Sequence, residues 1–159
     1  DVVMAIGEPE VARSCRCAAQ AKENVSVYAS PDHRLAGRVR VRATDFAELP
    51  VLLTGDGCRY RDAFLQALRT RGVSPYIVME TDSVQAIKQA AINNIGVGVL
   101  PDIAVDDELR QDALIRLPYG GFAGKLVSQI LHHKDKLERP PLQAFLALAV
   151  AYYDGLPMM

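Results

Sequence analysis

From Val51 onward the chain repeats one pattern. An apolar run of strand length is followed by a turn signal, a stretch of helix length, and another apolar run. Val51–Thr54 is followed by "GDGC", Arg59–Thr70, "RGVSP" and Pro75–Met79, and Asp82–Ile95 with Val97–Leu100 completes a second cycle. Strands alternating with helices of this length predict βαβ crossovers and a mainly parallel sheet. The first helix spaces Phe64, Leu65 and Leu68 for burial and ends on Gly72. The second opens on Asp82 or Ser83 as its cap and sets Val84, Ile87, Ala91 and Ile95 in one stripe. A second stripe of short side chains, Ala86, Ala90 and Asn93 with Gln89 at its border, permits close approach by another element.

The flanks are less regular. Val2–Ile6 is a continuous apolar run suited to a sheet buried on both faces. "ENVSVYAS", Glu23–Ser30, alternates with a period of two, and "SPDHRLAG" is turn chemistry. Arg38, Arg40 and Arg42 alternate with Val39 and Val41 and are expected on a solvated edge. "ATDFAEL" predicts a short helix capped by Thr44 or Asp45. Asp106–Asp112 predicts a short helix or turn, and Lys125–His132 a strand. The last helix, within "ERPPLQAFLALAVAYY", starts on prolines and is apolar almost all round, so it is expected to be largely buried.

Composition excludes several classes. Half of the 159 residues are apolar, enough to fill the core of one ordinary domain or two small lobes. A net charge of −1 leaves no electrostatic footprint of a nucleic-acid binder. Three cysteines are an odd number, which argues against a disulfide scaffold and for a reducing compartment. No apolar run reaches the roughly 18 residues of a membrane span. The chain opens on Asp1 and runs straight into "VVMAI" without a start Met, the look of a fragment, so its beginning is uninformative about targeting.

One loop stands out chemically. "LTGDGCRY" joins a strand to a helix, and a helix N-terminus offers unpaired N–H groups and the positive end of a dipole to an anion. Gly55 and Gly57 let backbone approach a ligand closely. Thr54, Gly55, Asp56, Gly57, Cys58 and Arg59 are therefore candidate ligand-binding residues. The loop half-matches a dinucleotide fingerprint, but its sixth position is Tyr60, so no such cofactor is expected. Cys15-x-Cys17 and His132-His133 are far apart in sequence, and the two cysteines are expected on opposite faces of a strand, so no metal site is expected. No nucleophile elbow or other catalytic constellation emerges, and the chain is not expected to be an enzyme.

In order, "ASPDHRLAG", "ATDFAELPVLL", "LRTRGVSPYIVMETDSVQAIKQAAINNIGVGVLPDIAV", "LIRLP" and "PPLQAFLALAVAYY" resemble the effector-binding domain of LysR-type transcriptional regulators. The resemblance covers nearly the whole chain and is most specific from Arg71 to Val105. It implies an α/β, two-lobed fold like that of type-2 periplasmic binding proteins, with Rossmann-like lobes, two crossing strands and a small ligand in the cleft. Residues 1–28 would end lobe one, 29–124 would form lobe two, and 125–159 would supply the returning strand and the C-terminal helix of lobe one. The first lobe would be incomplete, finished by a missing part or by a partner's edge, and DNA would be reached only through a helix–turn–helix domain not present here.

The resemblance also implies roles. The Thr54–Arg59 loop would face the cleft, with Ile6, Gly7 and Glu8 matching cleft positions on lobe one and Pro101 and Asp102 after the later strand. The ligand would be a small, anionic metabolite. The helix bearing Val84, Ala86, Ala90 and Asn93 would pack against lobe one of a second protomer across a two-fold axis, in a cytoplasmic homodimer or tetramer. The alternative on the same fold is a solute-binding protein feeding a transporter.

Overall fold

The structure, a computed structural model, describes residues 2–7, 9, 14–121, 126–137 and 139–155. In chain order its elements are β1 (Val2–Gly7), β2 (Cys15–Lys22), β3 (Val25–Ala29), a 3₁₀ turn (Ala43–Ala47), β4 (Pro50–Leu53), α1 (Arg59–Arg69), β5 (Tyr76–Glu80) and α2 (Val84–Ile92). Then come β6 (Val97–Pro101), a 3₁₀ turn (Asp102–Ala104), α3 (Asp106–Arg110), β7 (Ile115–Leu117), β8 (Val127–His133) and α4 (Pro140–Asp154). The chain divides into two units, Asn24–Gly124 and Asp1–Glu23 with Lys125–Met159.

In the central unit five strands run in the order β5-β4-β6-β3-β7. β4 is parallel to both β5 and β6, whereas β3 is antiparallel to β6 and β7. β7, antiparallel to β3, shares the direction of β4, β5 and β6, so the sheet is mainly parallel with β3 as its one antiparallel strand among the described residues. Successive residues of a strand face opposite sides, and the core divides accordingly. Val27, Ala29, Val51, Leu53, Val97 and Val99 join Phe64 and Leu68 of α1 in one cluster. Tyr28, Leu52 and Leu100 join Ile87, Ala90 and Ala91 of α2 in another. Phe46 meets Phe64 edge-on at 5.3 Å between ring centroids.

The α2 region departs from the expected boundaries. The helix ends by Asn94, which takes φ +56°, and the Ile95 N–H donates to Ala90 O at 3.0 Å. Ile95 therefore leaves the apolar stripe and is 52% exposed. Gly96 serves a different need: a Cβ there would come within 2.5 Å of Pro50 O, so only glycine allows this approach to β4. Ser83 is the cap, its Oγ accepting from the Ala86 N–H at 3.2 Å.

Two other local expectations shift. Arg38–Arg42 is not a strand, although the three arginines are exposed; Val41 turns inward, its N–H donating to Pro118 O at 3.1 Å. Asp45 caps the following 3₁₀ turn from inside, accepting the Arg42 N–H at 2.7 Å.

The other unit is a three-stranded antiparallel sheet, ordered β1-β8-β2. β1 was expected to be buried on both faces, yet Val3 and Met4 are exposed, because β1 lies at a sheet edge. α4 was expected to be largely buried, but Tyr153 is its one buried residue; Phe145, Leu148 and Tyr152 are exposed. The helix packs on β2, and one small sheet cannot cover a helix that is apolar all round. Lys125, at the expected start of β8, lies outside the described residues.

Candidate functional site

The three parallel strands bring their carboxyl ends to one edge of the central sheet, where open α/β sheets place ligands. The loop after β4 carries Thr54 to Cys58, β5 leads into Thr81–Ser83, and β6 ends on Pro101. Extending the parallel register of Val51 with Val97 puts Pro101 level with Gly55. β4 is buried and ends on Leu53, so the chain leaves the core at Thr54, which is 6% exposed. The Thr54 Oγ1 is buried and has no hydrogen-bond partner. A buried hydroxyl left unpaired is costly.

The loop is shaped by two glycines with different tasks. Gly57 has φ +85° with open space where a Cβ would be, so it is there for backbone conformation. A Cβ on Gly55 would sit 2.5 Å from Asp82 Oδ1, so Gly55 makes room for the Asp82 carboxylate. α1 follows from Arg59, and its ladder opens with the Asp62 N–H donating to Cys58 O at 3.0 Å. The N–H groups of its first turn lie at the head of the helix.

Arg61 braces this loop from within. It is 9% exposed, and it donates to Asp56 Oδ1 at 2.5 Å and to Glu80 Oε1 at 2.6 Å. The loop after β4 is thereby tied to the end of β5, and the Asp56 carboxylate is held by a cation. Sequence reasoning missed Arg61 because an arginine in a first helical turn usually faces water. It also read Asp82 only as a possible cap; the small residue at Gly55 was the available signal for its packing role. Burial holds the Tyr60 phenol well above its ordinary range, with the Cys58 thiol adding to this and Thr54 acting against it. Tyr60 is thus close enough to feel both side chains, though no hydrogen bond closes on Thr54.

The other candidates fall elsewhere. Ile6 and Gly7 end β1, opposite Ser128 and Val127 of β8. Glu8 lies outside the described residues. Asp102 is held by its own neighbours, accepting from the Tyr28 hydroxyl and from Arg116, each at 2.6 Å. On α2, Ala90 is 5% exposed and packs in the chain's own core, so that part of the second stripe is explained within the chain. Val84 and Ala86 are half-buried and Asn93 is exposed. As the side chains stand, no three His, Cys, Asp or Glu among the described residues could hold a metal ion.

The family model of the LysR substrate binding domain matches residues 1–154. This chain belongs to that family. Among its relatives, the LysR-type domain is 32% identical over 127 residues to the HTH-type transcriptional regulator YwqM of Bacillus subtilis, covering 80% of this chain and 43% of YwqM. It is 33% identical over 99 residues to the regulator CysB of Burkholderia cenocepacia, covering 62% of this chain and 31% of CysB. The LysR-type domain therefore spans less than half the length of either relative.

Two solved structures share the fold. The regulatory domain of Synechocystis PCC6803 CcmR, in complex with 2-PG, superposes with a TM-score of 0.84 at 23% identity, over 99% of this chain and 75% of that one. The effector-binding domain of QuiR, in complex with shikimate, gives 0.74 at 17% identity, over 95% and 71%. The fold is the two-lobed type-2 periplasmic-binding-protein-like one that the sequence resemblance implied. Among the described residues of the LysR-type domain, no helix is long and apolar enough to cross a membrane.

Proposed function

We propose that the chain is the effector-sensing part of a bacterial LysR-type transcriptional regulator. In this reading Asn24–Gly124 is one lobe, the other unit belongs to the second, and a small polar metabolite seats at the Thr54–Arg59 loop. The observation that carries it is the buried Thr54 hydroxyl without a partner, beside the head of α1. A carboxylate or phosphate oxygen would satisfy that hydroxyl and meet the dipole end together. The complexes of CcmR with 2-PG and QuiR with shikimate support this ligand class, since both structures share the fold. Ile6, Gly7, Glu8 and Pro101 are the proposed further contacts. The matched relatives are transcriptional regulators, which favours this reading over a transporter's solute-binding protein or an enzyme.

Signalling follows from linkage. A ligand shifts an equilibrium between states only by binding them unequally. In a full-length cytoplasmic regulator, ligand binding would bias the geometry between protomers and so the DNA-reading heads. The proposed partner surface on α2 is Val84, Ala86, Ala90 and Asn93, of which Val84, Ala86 and Asn93 keep some exposure while Ala90 is buried in the chain's own core.

The test is Thr54→Val, which keeps the shape and removes the hydroxyl. Because that hydroxyl is unpaired, stability should be unchanged or slightly higher. Affinity for the effector, screened by calorimetry from 2-PG, shikimate and other small carboxylates, should fall on the order of 10-fold to 100-fold, the worth of one hydrogen bond to a charged group. Wild-type affinity in the variant would remove Thr54 from the site.

A further inference from the structure

The loop after β4 sits in more negative charge than a purely anionic ligand would favour. Asp56 lies in the loop and Asp62 in the first turn of α1, while Glu80 ends β5 and Asp82 follows it. Against these four carboxylates stand two cations, Arg59 and Arg61. Arg61 serves three of the four, lying 2.5 Å from Asp56, 3.7 Å from Asp62 and 2.6 Å from Glu80. Asp82 is left over: among the described residues it has neither a hydrogen bond nor an ion pair.

The fold holds this carboxylate at the loop all the same. The Thr81 N–H donates to Leu53 O at 3.1 Å, which carries the β4–β5 pairing past the strand ends and sets the two loops side by side. The place a Cβ on Gly55 would take is 2.5 Å from Asp82 Oδ1 and 3.9 Å from Oδ2, so one carboxylate oxygen lies over the Gly55 backbone. Any larger residue at position 55 would push it away. Capping, a common task for an acidic residue at a helix start, falls to others here. Ser83 Oγ accepts the Ala86 N–H, and the Ser83 N–H is itself taken by Thr81 Oγ1 at 3.2 Å. The dipole of α2 favours a carboxylate near its head, but does not require one over Gly55.

Thr54, next to Gly55, has the opposite need. Its buried hydroxyl lacks a partner beside the head of α1. Groups that favour an anion thus lie one residue from an unpaired carboxylate that favours a cation.

We propose that this loop selects a zwitterion, an α-amino acid, whose carboxylate meets the Thr54 hydroxyl and the head of α1 and whose ammonium meets Asp82. The proposal rests on the reading of Thr54–Arg59 as the effector loop and narrows the effector to one chemical class. An α-amino acid carries both charges on one carbon, which suits binding groups on neighbouring residues. Its ammonium donates to an ionised carboxylate, the stronger kind of hydrogen bond. An acid without the amino group would bring its negative charge beside Asp82 with nothing to offset it. Selection therefore has an attractive and a repulsive part.

The test is calorimetry of the chain with the standard L-amino acids, each paired with the acid that lacks its amino group, such as L-alanine with propionate and L-aspartate with succinate. At least one amino acid should bind, and its matched acid should bind on the order of 10-fold to 100-fold more weakly, the worth of a hydrogen bond to a charged group. Asp82→Asn keeps the shape over Gly55 and removes the charge. Because Asp82 has no partner in the chain, thermal unfolding of this variant should match the wild type. Its affinity for the amino acid should fall by a similar factor, while affinity for the matched acid holds or rises. Thr54→Val should weaken both members of the pair alike. Acids that bind as tightly as their amino acids, or wild-type amino-acid affinity in Asp82→Asn, would overturn the proposal and leave the anion site standing. Wild-type binding of both members in Thr54→Val would overturn the loop reading beneath it. Binding of no amino acid and no matched acid would remove both.

Discussion

In Asn24–Gly124 a five-stranded sheet carries a cluster of buried side chains on each face. In the other unit a three-stranded sheet carries α4 over β2, with Val3, Met4, Phe145, Leu148 and Tyr152 exposed. The two regions use similar apolar residues. What differs is how many neighbours the sheet supplies. A helix such as α1 can bury Phe64 and Leu68 because one apolar face meets a wide sheet, and its other side is polar. α4 has no polar side to turn outward, so a single strand's worth of cover leaves it bare. Apolar content alone does not produce a core; a sheet wide enough to receive it does.

The comparison predicts a contrast between two truncations. Phe64→Ala removes a ring that is fully buried between Phe46 and the sheet, and should cost about 3–5 kcal/mol in chemical denaturation. Leu148→Ala removes a side chain that is 72% exposed and should change stability by less than about 0.5 kcal/mol. Hydrogen exchange read by mass spectrometry assigns each loss to its unit. If Leu148→Ala proved as costly as Phe64→Ala, α4 would be covered in solution and the contrast between the units would fail.

A smaller effect is expected at Arg61, which ties the loop after β4 to the end of β5. Arg61→Met keeps the apolar stem and removes the ties to Asp56 and Glu80. Asp56 is well exposed and Glu80 half-exposed, so both carboxylates regain water when the cation is lost. The cost should be about 1–2 kcal/mol, below that of a fully buried pair. Exchange should quicken in the Thr54–Cys58 loop and at the end of β5, with β3 and β6 unchanged. A loss spread evenly over the unit would mean that Arg61 supports the core rather than the loop.

Much of the central unit was legible in the sequence because its patterns are local. Period-two strands, a glycine closing α1 and a serine opening α2 each act within a few residues. The resemblance to LysR-type domains added the order of the parts. Less legible was anything set by the number of neighbours: the exposed β1, the bare faces of α4, the early end of α2 at Asn94. The candidate loop was singled out from its glycines and the helix that follows. Arg61 and Asp82 were not, because their roles depend on residues brought near by folding, Glu80 and Gly55.

The smallest effect expected is a pH dependence confined to the central unit. His33 is buried, and its Nδ1 accepts the Leu35 N–H at 3.2 Å, which a protonated nitrogen cannot do. Burial, with Arg34 adding to it, lowers its pKa below the ordinary 6.5. Because the folded pKa is depressed, the unfolded chain takes up the proton first as pH falls. The stability that neutral His33 contributes is therefore complete above about 6.5 and is lost as pH drops through the folded value. Denaturation midpoints should begin to fall as pH drops below about 6.5, before most carboxylates titrate. His33→Asn keeps a side-chain acceptor for the Leu35 N–H without a titrating ring, and should flatten the profile over that window. Hydrogen exchange should place the pH-sensitive opening around Ser30–Leu35. A profile equally steep in His33→Asn would assign the dependence to a group other than His33.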